Sequence, residues 1–165
     1  MTSHDAVQVV RRVFGQREVG HTGTLDPMAT GLLVIALGSA TRIARFIEAA
    51  DKRYLGTVRL GRGTTTWDAE GETTETVELP SELEPDRLRA AVEGLLGVRA
   101  QQVPIYSAVK IGGERLYKKA RRGESIDPPV KDVRISESRL RGSVLPDIEM
   151  EVLVSKGTYV RSLAV

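Results

Sequence analysis

Cysteine is absent from the 165-residue sequence, and its absence excludes disulfide bonds and thiolate metal sites. Only two histidines are present, His4 and His21, so a zinc site built from histidine alone is not expected. A chain without cysteine fits a cytoplasmic protein. From these absences we expect no metal, and a cytoplasmic location.

Long hydrophobic runs are also lacking. No apolar stretch approaches the roughly 20 residues that a transmembrane helix needs. The longest one, residues 31–37, is interpreted as a buried strand. The first five residues are polar and do not resemble a signal peptide. The sequence therefore predicts a protein without a membrane-spanning segment.

The composition that remains is that of a globular domain. Hydrophobic residues make up 41% of the chain and charged residues 28%, which is enough apolar material for a core and enough charge for solubility. The length lies within the usual range of a single domain. We expect one domain over residues 1–165.

The charges are unevenly distributed along the chain, although the net charge is only +2. Cations crowd residues 42–62 and 110–122, whereas acids dominate residues 68–93. Such a bipolar molecule can present one basic face to phosphates. Charge alone leaves a second interpretation open, in which these are solvated faces of helices and strands.

The hydrophobic pattern predicts an α+β fold with a mixed, largely antiparallel central sheet flanked by helices. Helices are predicted over residues 2–14, from Ser39 to about residue 50, over 85–96, over 113–122, and from residue 158 onward. Strands are predicted over residues 32–37, 52–60, 72–79, 105–111, 130–141 and 147–154. Gly15 is expected to end the first helix, and residues 61–71 to form a loop.

The densest functional signal is the segment Gly-His-Thr-Gly-Thr-Leu-Asp-Pro-Met-Ala-Thr-Gly at residues 20–31. Its closely spaced glycines, Gly20 and Gly23, are expected to allow unusual backbone angles that hold side chains toward a ligand. Asp26 before Pro27 has two interpretations: a functional carboxylate, or the N-cap of a helix whose first residue is proline. His21 alone is equally compatible with a hydrogen-bonded loop residue.

Three further blocks follow in order along the chain. Lys52-Arg-Tyr54 precedes Leu60-Gly61, Thr66 and Asp68-Ala-Glu-Gly71; Gln102-Val-Pro104 precedes Tyr106-Ser-Ala-Val-Lys110 and Arg115-Leu-Tyr117; and the last block is Ser155-Lys-Gly-Thr-Tyr-Val-Arg161-Ser-Leu163. Together with residues 20–31, these blocks resemble the bacterial tRNA pseudouridine synthase B (TruB) family. The resemblance covers nearly the whole chain and implies that family's catalytic fold.

The resemblance implies an isomerase that converts uridine 55 in the T-loop of tRNA into pseudouridine, with no cofactor. It makes Asp26 the essential carboxylate, which acts as a nucleophile or as a base at C2′. Arg161 is expected to pair with Asp26, because a guanidinium fork can hold a carboxylate in a fixed orientation. Tyr54 is expected to stack on the uracil. On residues alone, Tyr54 can equally be a packing residue and Arg161 a surface residue.

The partner that the resemblance implies is the T-arm stem-loop of tRNA, whose target base must be flipped out of its stack. His21 is expected to fill the vacated position, with Thr22 and Gly23 beside it. Four cations are expected to contact phosphates of the stem. They are Lys110, Arg115, Lys118 and Arg121. Arg122, in the same basic stretch, is expected to make such a contact as well.

The chain departs from the family pattern at both ends. The family's first strand, with a Lys-Pro dipeptide, is expected to be missing before Thr2, as are the later part of the catalytic domain and a PUA domain. We expect a monomer. The alternatives are a relative that works in guide-RNA particles, a non-catalytic RNA-binding or tRNA-folding protein, and a glycosidase. The last normally needs two carboxylates, whereas the central motif offers one.

Overall fold

The first helix, α1 (Ser3–Phe14), begins at a capping box in the computed structural model, which describes all of residues 1–165. The Thr2 hydroxyl accepts a hydrogen bond from the Asp5 N–H at 3.2 Å, and the Asp5 carboxylate accepts one from the Thr2 N–H at 2.8 Å. Gly15 ends the helix in the left-handed conformation, with φ of 60°. The predicted helix is confirmed at both ends because its two caps are encoded locally.

A short antiparallel pair follows α1. Strand β1 (Val19–His21) pairs with β2 (Ile35–Leu37), so that Gly20 lies opposite Ala36. A 3-10 helix (Gly38–Arg42) and the short helix α2 (Ala44–Glu48) come next. These elements form the first of two compact units, residues 1–50.

Two predictions in this unit need correction. The strand predicted over residues 32–37 contains only its last three residues, and the Leu32 side chain is 86% exposed. Ser39 does not cap a helix but lies inside the 3-10 helix. There the Thr41 hydroxyl donates to the Gly38 carbonyl at 2.7 Å, a local bond that competes with regular α-helical pairing.

The second unit, residues 51–165, is built on a four-stranded antiparallel sheet. Its elements are β3 (Lys52–Arg59), β4 (Arg62–Thr64), β5 (Thr73–Thr76), α3 (Pro85–Glu93), β6 (Gly97–Gln102), β7 (Lys110–Ile111), β8 (Glu114–Arg115), α4 (Leu116–Arg121), β9 (Val130–Val144), β10 (Asp147–Val154) and a 3-10 helix (Val160–Leu163). The order in the main sheet is β3-β10-β9-β6. The α+β class and the antiparallel sheet are confirmed.

One face of this sheet forms the core of the second unit. Strand β10 alternates strictly, and its inward residues Ile148, Met150 and Val152 are each at most 6% exposed. Helix α3 places Leu88 and Val92 against the same cluster. Burying this apolar surface stabilises the unit by roughly 25 cal/mol per Å².

The opposite face carries a lattice of ion pairs across three strands. The Arg53 guanidinium contacts Glu137 at 2.9 Å and Glu151 at 2.6 Å, and Arg141 also pairs with Glu151. Hydrogen bonds from Arg53 lower the pKa values of both glutamates, while the two glutamates raise the pKa of Arg53. Each of these charged side chains therefore has an opposite charge beside it.

The shorter elements of the second unit differ from their predictions. The strand predicted over residues 105–111 contains only Lys110–Ile111, and the helix predicted over 113–122 begins at Leu116, after strand β8. The loop predicted over 61–71 contains β4, which pairs with β5. The helix predicted over 85–96 ends at Glu93, and the one from residue 158 is a 3-10 helix. These elements are too short for periodicity to define their bounds.

None of the helices combines the length and the apolar character that crossing a membrane would require. The assignment of residues 1–165 to one catalytic domain stays a prediction, and the two units are described separately.

Candidate functional site

The segment of residues 20–31 begins in β1 and continues into the long connection between β1 and β2. The Thr22 N–H donates to the Val34 carbonyl at 3.1 Å, which extends the strand pairing by one step. The Leu25 N–H donates to the buried Ser3 hydroxyl at 3.0 Å. The segment is thereby tied to the start of α1 on one side and to the residues before β2 on the other.

Asp26 lies at the first position of a tight turn. Its carbonyl accepts a hydrogen bond from the Ala29 N–H at 2.9 Å, and Pro27 and Met28 form the centre of the turn. No helix follows, so the interpretation of Asp26 as a helix N-cap is wrong. The residue is exposed. Proline suits the second position of such a turn because its φ is already fixed.

His21 is the last residue of β1, opposite Ile35. It is half-buried, and its Nδ1 atom is buried without a hydrogen-bond partner. The expectation that Gly20 supplies an unusual backbone angle is wrong, since it is an ordinary strand residue. The positive φ of this segment, 138°, is found at Gly31. Thr22 is only 5% exposed, so its side chain supports the loop from within.

Arg161 lies in the last 3-10 helix, and its side chain is only 9% exposed. Its Nη1 atom donates to the Thr66 carbonyl at 3.0 Å and to the Asp68 carboxylate at 3.2 Å. Its Nη2 atom donates to the Tyr106 carbonyl at 2.9 Å. The guanidinium is therefore held in one orientation by three acceptors, which contradicts its interpretation as a surface residue.

Asp68 is a member of this cluster that the sequence reasoning did not select as a site residue. One carboxylate oxygen contacts Arg161, and the other accepts from the Thr66 hydroxyl at 2.5 Å and from the Glu70 N–H at 3.1 Å. A Cβ at Gly71 would lie 2.4 Å from the Thr66 hydroxyl oxygen, so glycine is needed there. The sequence signal for this cluster is the Asp-Ala-Glu-Gly pattern at residues 68–71. It combines a carboxylate that can accept hydrogen bonds with a glycine that lets two backbone segments lie close together.

Tyr54 lies in β3, opposite Val152 of β10. It is half-buried and packs against the edge of the core cluster. The packing interpretation therefore describes part of this ring, and its stacking on a base stays a prediction. Tyr54 and Arg161 belong to the second unit and Asp26 to the first, so the pairing of Asp26 with Arg161 also stays a prediction.

Three of the four predicted phosphate contacts surround one open concavity of about 440 Å³. Lys110 and Arg115 are cross-strand partners in the β7–β8 pair, and Lys118 follows in α4. Tyr117 lies beside them, with the Arg115 guanidinium carbon 6.0 Å from its ring centre. Like charges placed directly opposite on two strands repel each other, so this arrangement favours an anionic ligand.

The other two cations of the basic segment differ from these three. Arg121 does not line the concavity, and its guanidinium carbon lies 5.5 Å from the centre of the Tyr117 ring. Arg122 pairs with Glu114 and with Glu124, both at 2.6 Å, so its charge is largely neutralised. Its expected phosphate contact stays a prediction, in which a phosphate would have to compete with both glutamates. No group of three or more His, Asp or Glu side chains is arranged to hold a metal ion.

Comparison with known families gives one match that covers most of the chain. Residues 11–160 match the profile described as TruB family pseudouridylate synthase (N terminal domain). Several curated proteins named tRNA pseudouridine synthase B are similar to nearly the whole chain. The one from Opitutus terrae is 42% identical over 99% of this chain and 67% of its own length. The one from Leifsonia xyli subsp. xyli is 48% identical over 99% of this chain and 56% of its own length.

Solved structures share the fold. A structure of a Cbf5-Nop10-Gar1 complex superposes with a TM-score of 0.72 at 24% identity, over 99% of this chain and 39% of that one. At this identity the likeness describes the fold alone. The chain spans between 56% and 67% of the length of the curated relatives reported above.

Proposed function

This chain belongs to the TruB family of pseudouridylate synthases, and we propose that it carries the catalytic chemistry of an enzyme that isomerises uridine to pseudouridine in tRNA. The observation that carries this proposal is the identity of 42% to 48% with tRNA pseudouridine synthases B over 99% of the chain. The target that we propose is uridine 55 in the T-loop.

The proposed reaction breaks the N1–C1′ bond of the uridine, rotates the uracil and joins C1′ to C5. The proton at C5 is lost and N1 gains one, so no external donor or oxidant is consumed. We assign the carboxylate to Asp26, acting either as a nucleophile at C1′ or as a base at C2′. Its position on an exposed turn after the β1 strand supports this assignment, because a turn can present a side chain to a large substrate.

The proposal gives the second unit the groups that orient the substrate. A guanidinium held by three acceptors is already organised before a ligand arrives, so no reorganisation is needed when charge develops nearby. We assign this electrostatic role to Arg161, with Asp68 as its positioning residue. Tyr54 is assigned to stacking on the flipped uracil, an interaction worth about 1–3 kcal/mol per base.

His21 and Gly23 are assigned to the RNA at the vacated position, and the buried Thr22 is assigned to supporting the loop beneath them. The partial exposure of His21 at the end of β1 supports this, because part of the ring stays accessible to a ligand. Lys110, Arg115 and Lys118 are assigned to phosphates of the T-arm stem. Arg121 stays a weaker candidate because it lies outside their concavity.

The test is tritium release from a T-arm stem-loop that carries ³H at C5 of uridine 55. The proposal predicts release from this RNA and none from a labelled anticodon stem-loop of equal length. Release from both RNAs would contradict T-loop specificity while leaving the reaction intact. Binding of the T-arm without release from either RNA would contradict the enzyme assignment and favour a non-catalytic RNA-binding protein.

A further inference from the structure

Two residues that the proposed chemistry does not use converge on the segment that leads to Arg161. Gln101 of β6 and Lys131 of β9 are directly opposite each other in the antiparallel register. Side chains of such a pair point to the same face of a sheet. Both of these side chains reach residues 157–159, which lie just before the last 3-10 helix.

Gln101 forms two hydrogen bonds with one residue. Its Nε2 donates to the Tyr159 carbonyl at 3.0 Å, and its Oε1 accepts from the Tyr159 N–H at 2.8 Å. The amide thus replaces the strand neighbour that Tyr159 lacks, and Gln101 is only 4% exposed. Among side chains of this length only glutamine carries both a donor and an acceptor on one planar group.

Lys131 contacts the same segment, residues 157–159, at two further points. Its ammonium donates to the Gly157 carbonyl and lies 4.3 Å from the centre of the Tyr159 ring. Partial burial lowers the pKa of this lysine, which indicates that the ammonium is withdrawn from water. Gly157 adopts a φ of 80°, and a Cβ there would lie 3.4 Å from the ammonium. The lysine and the glycine therefore fit closely together.

We propose that Gln101 and Lys131 form a cross-strand clamp that fixes residues 157–159 and thereby positions the Arg161 guanidinium. The clamp defines where the last 3-10 helix begins, because Tyr159 is its N-cap residue and has no side-chain cap of its own. Arg161 follows two residues later and contacts Thr66, Asp68 and Tyr106. The consequence for catalysis rests on the proposed function, whereas the clamp itself does not.

The test compares Gln101→Met and Lys131→Met with the parent chain. Methionine keeps most of the side-chain volume but removes the hydrogen bonds and the charge. Lys131→Arg is the conservative variant that keeps a cation over the Tyr159 ring. Ser138→Ala is the matched control, because it removes a buried hydrogen bond of 2.6 Å to Val92 of α3 without touching residues 155–163.

Amide hydrogen exchange tests the clamp independently of catalytic activity. Gln101→Met is expected to accelerate exchange at the Tyr159 N–H, whereas Ser138→Ala is expected to leave this amide protected. Equal exchange at Tyr159 in the parent and in Gln101→Met would overturn the clamp. So would equal acceleration by Gln101→Met and by the control, because the effect would then be a general loss of stability.

Single-turnover tritium release at saturating T-arm RNA tests whether the clamp positions the Arg161 guanidinium. Each methionine variant is expected to slow release about 10- to 100-fold, the effect of a small misplacement of a positioned group, with the Kd for RNA unchanged. Lys131→Arg is expected to restore most of the rate. Accelerated exchange without a slower rate would overturn the positioning role. A parent chain that releases no tritium would instead contradict the proposed function, and exchange would then decide the clamp alone.

Discussion

At the scale of single residues, the most constrained group of the second unit is the Arg161–Asp68 pair. Their side chains are 9% and 13% exposed, so solvent screens this pair far less than the pairs on the outer face of the sheet. Each partner also has further hydrogen bonds, to Thr66 and Tyr106 on one side and to Thr66 and Glu70 on the other. Removing the Arg161 charge leaves the largely buried Asp68 carboxylate without this cation.

Arg161→Met is therefore expected to lower the free energy of unfolding by about 3 kcal/mol, the usual consequence of leaving a buried charge unpaired. Urea denaturation of the parent and the variant measures this difference. Arg89→Met is the control, since the Arg89–Asp86 pair is 58% and 92% exposed and is expected to change stability by less than about 1 kcal/mol. Similar decreases in the free energy of unfolding for the two variants would contradict a larger stabilising contribution from Arg161.

At the scale of elements, the sequence predicted those whose signals are local or periodic. Helix α1 was predictable because Thr2, Asp5 and Gly15 encode both of its ends. Strands β3 and β10 were predictable because each alternates over eight residues. The bounds of β7 and α4 were predicted wrongly because the glycine pair at residues 112–113 turns the chain into the β7–β8 hairpin, which has no periodic signal.

One prediction concerns RNA binding by the basic residues of the β7–β8 pair and α4. Lys118→Gln is expected to weaken binding of the T-arm stem-loop and to reduce the slope of log Kd against log salt by about 1, because one phosphate contact is lost. Titrations at several salt concentrations measure the slope. Arg87→Gln is the control: it removes the same charge from exposed α3, within the acidic part of the sequence. Equal slopes for the two variants would contradict a phosphate contact at Lys118.

The ion pairs on the outer face of the sheet carry a prediction about pH. Arg53 lowers the pKa values of Glu137 and Glu151, so their stabilising contribution is present at neutral pH and is lost as pH falls through the lowered values. Arg53→Gln removes the cause of both shifts. We expect the variant to be less stable than the parent at pH 7, and the two to converge as pH falls through the lowered pKa values of the two glutamates.

Urea midpoints measured across this pH range test the prediction on Arg53. Arg87→Gln again serves as a control, because it removes an exposed arginine for which no ion pair is observed. A constant difference between parent and Arg53→Gln at every pH would show that Arg53 stabilises the sheet through packing alone. High salt is expected to reduce the difference, since these side chains are partly exposed.

At the scale of the whole molecule, the sequence singled out candidate segments without describing their geometry. Asp26 was selected through its motif, but the turn that presents it was indistinguishable from a helix cap, because Asp-Pro begins both. Asp68 was quoted within a motif without a role, since its contact with Arg161 joins residues 93 positions apart. Gln101 was not predicted, because its role depends on the Tyr159 backbone, which is distant in the sequence.

We propose that Asp26 performs the chemistry, and single-turnover tritium release by Asp26→Asn tests this most directly. Asparagine keeps the shape of the side chain but cannot act as a nucleophile or a base. Glu18→Gln is the matched control, an exposed carboxylate of the same unit outside the motif. We predict no release by Asp26→Asn, release at the parent rate by Glu18→Gln, and equal T-arm affinity for all three chains. Release by Asp26→Asn at the parent rate would contradict the account.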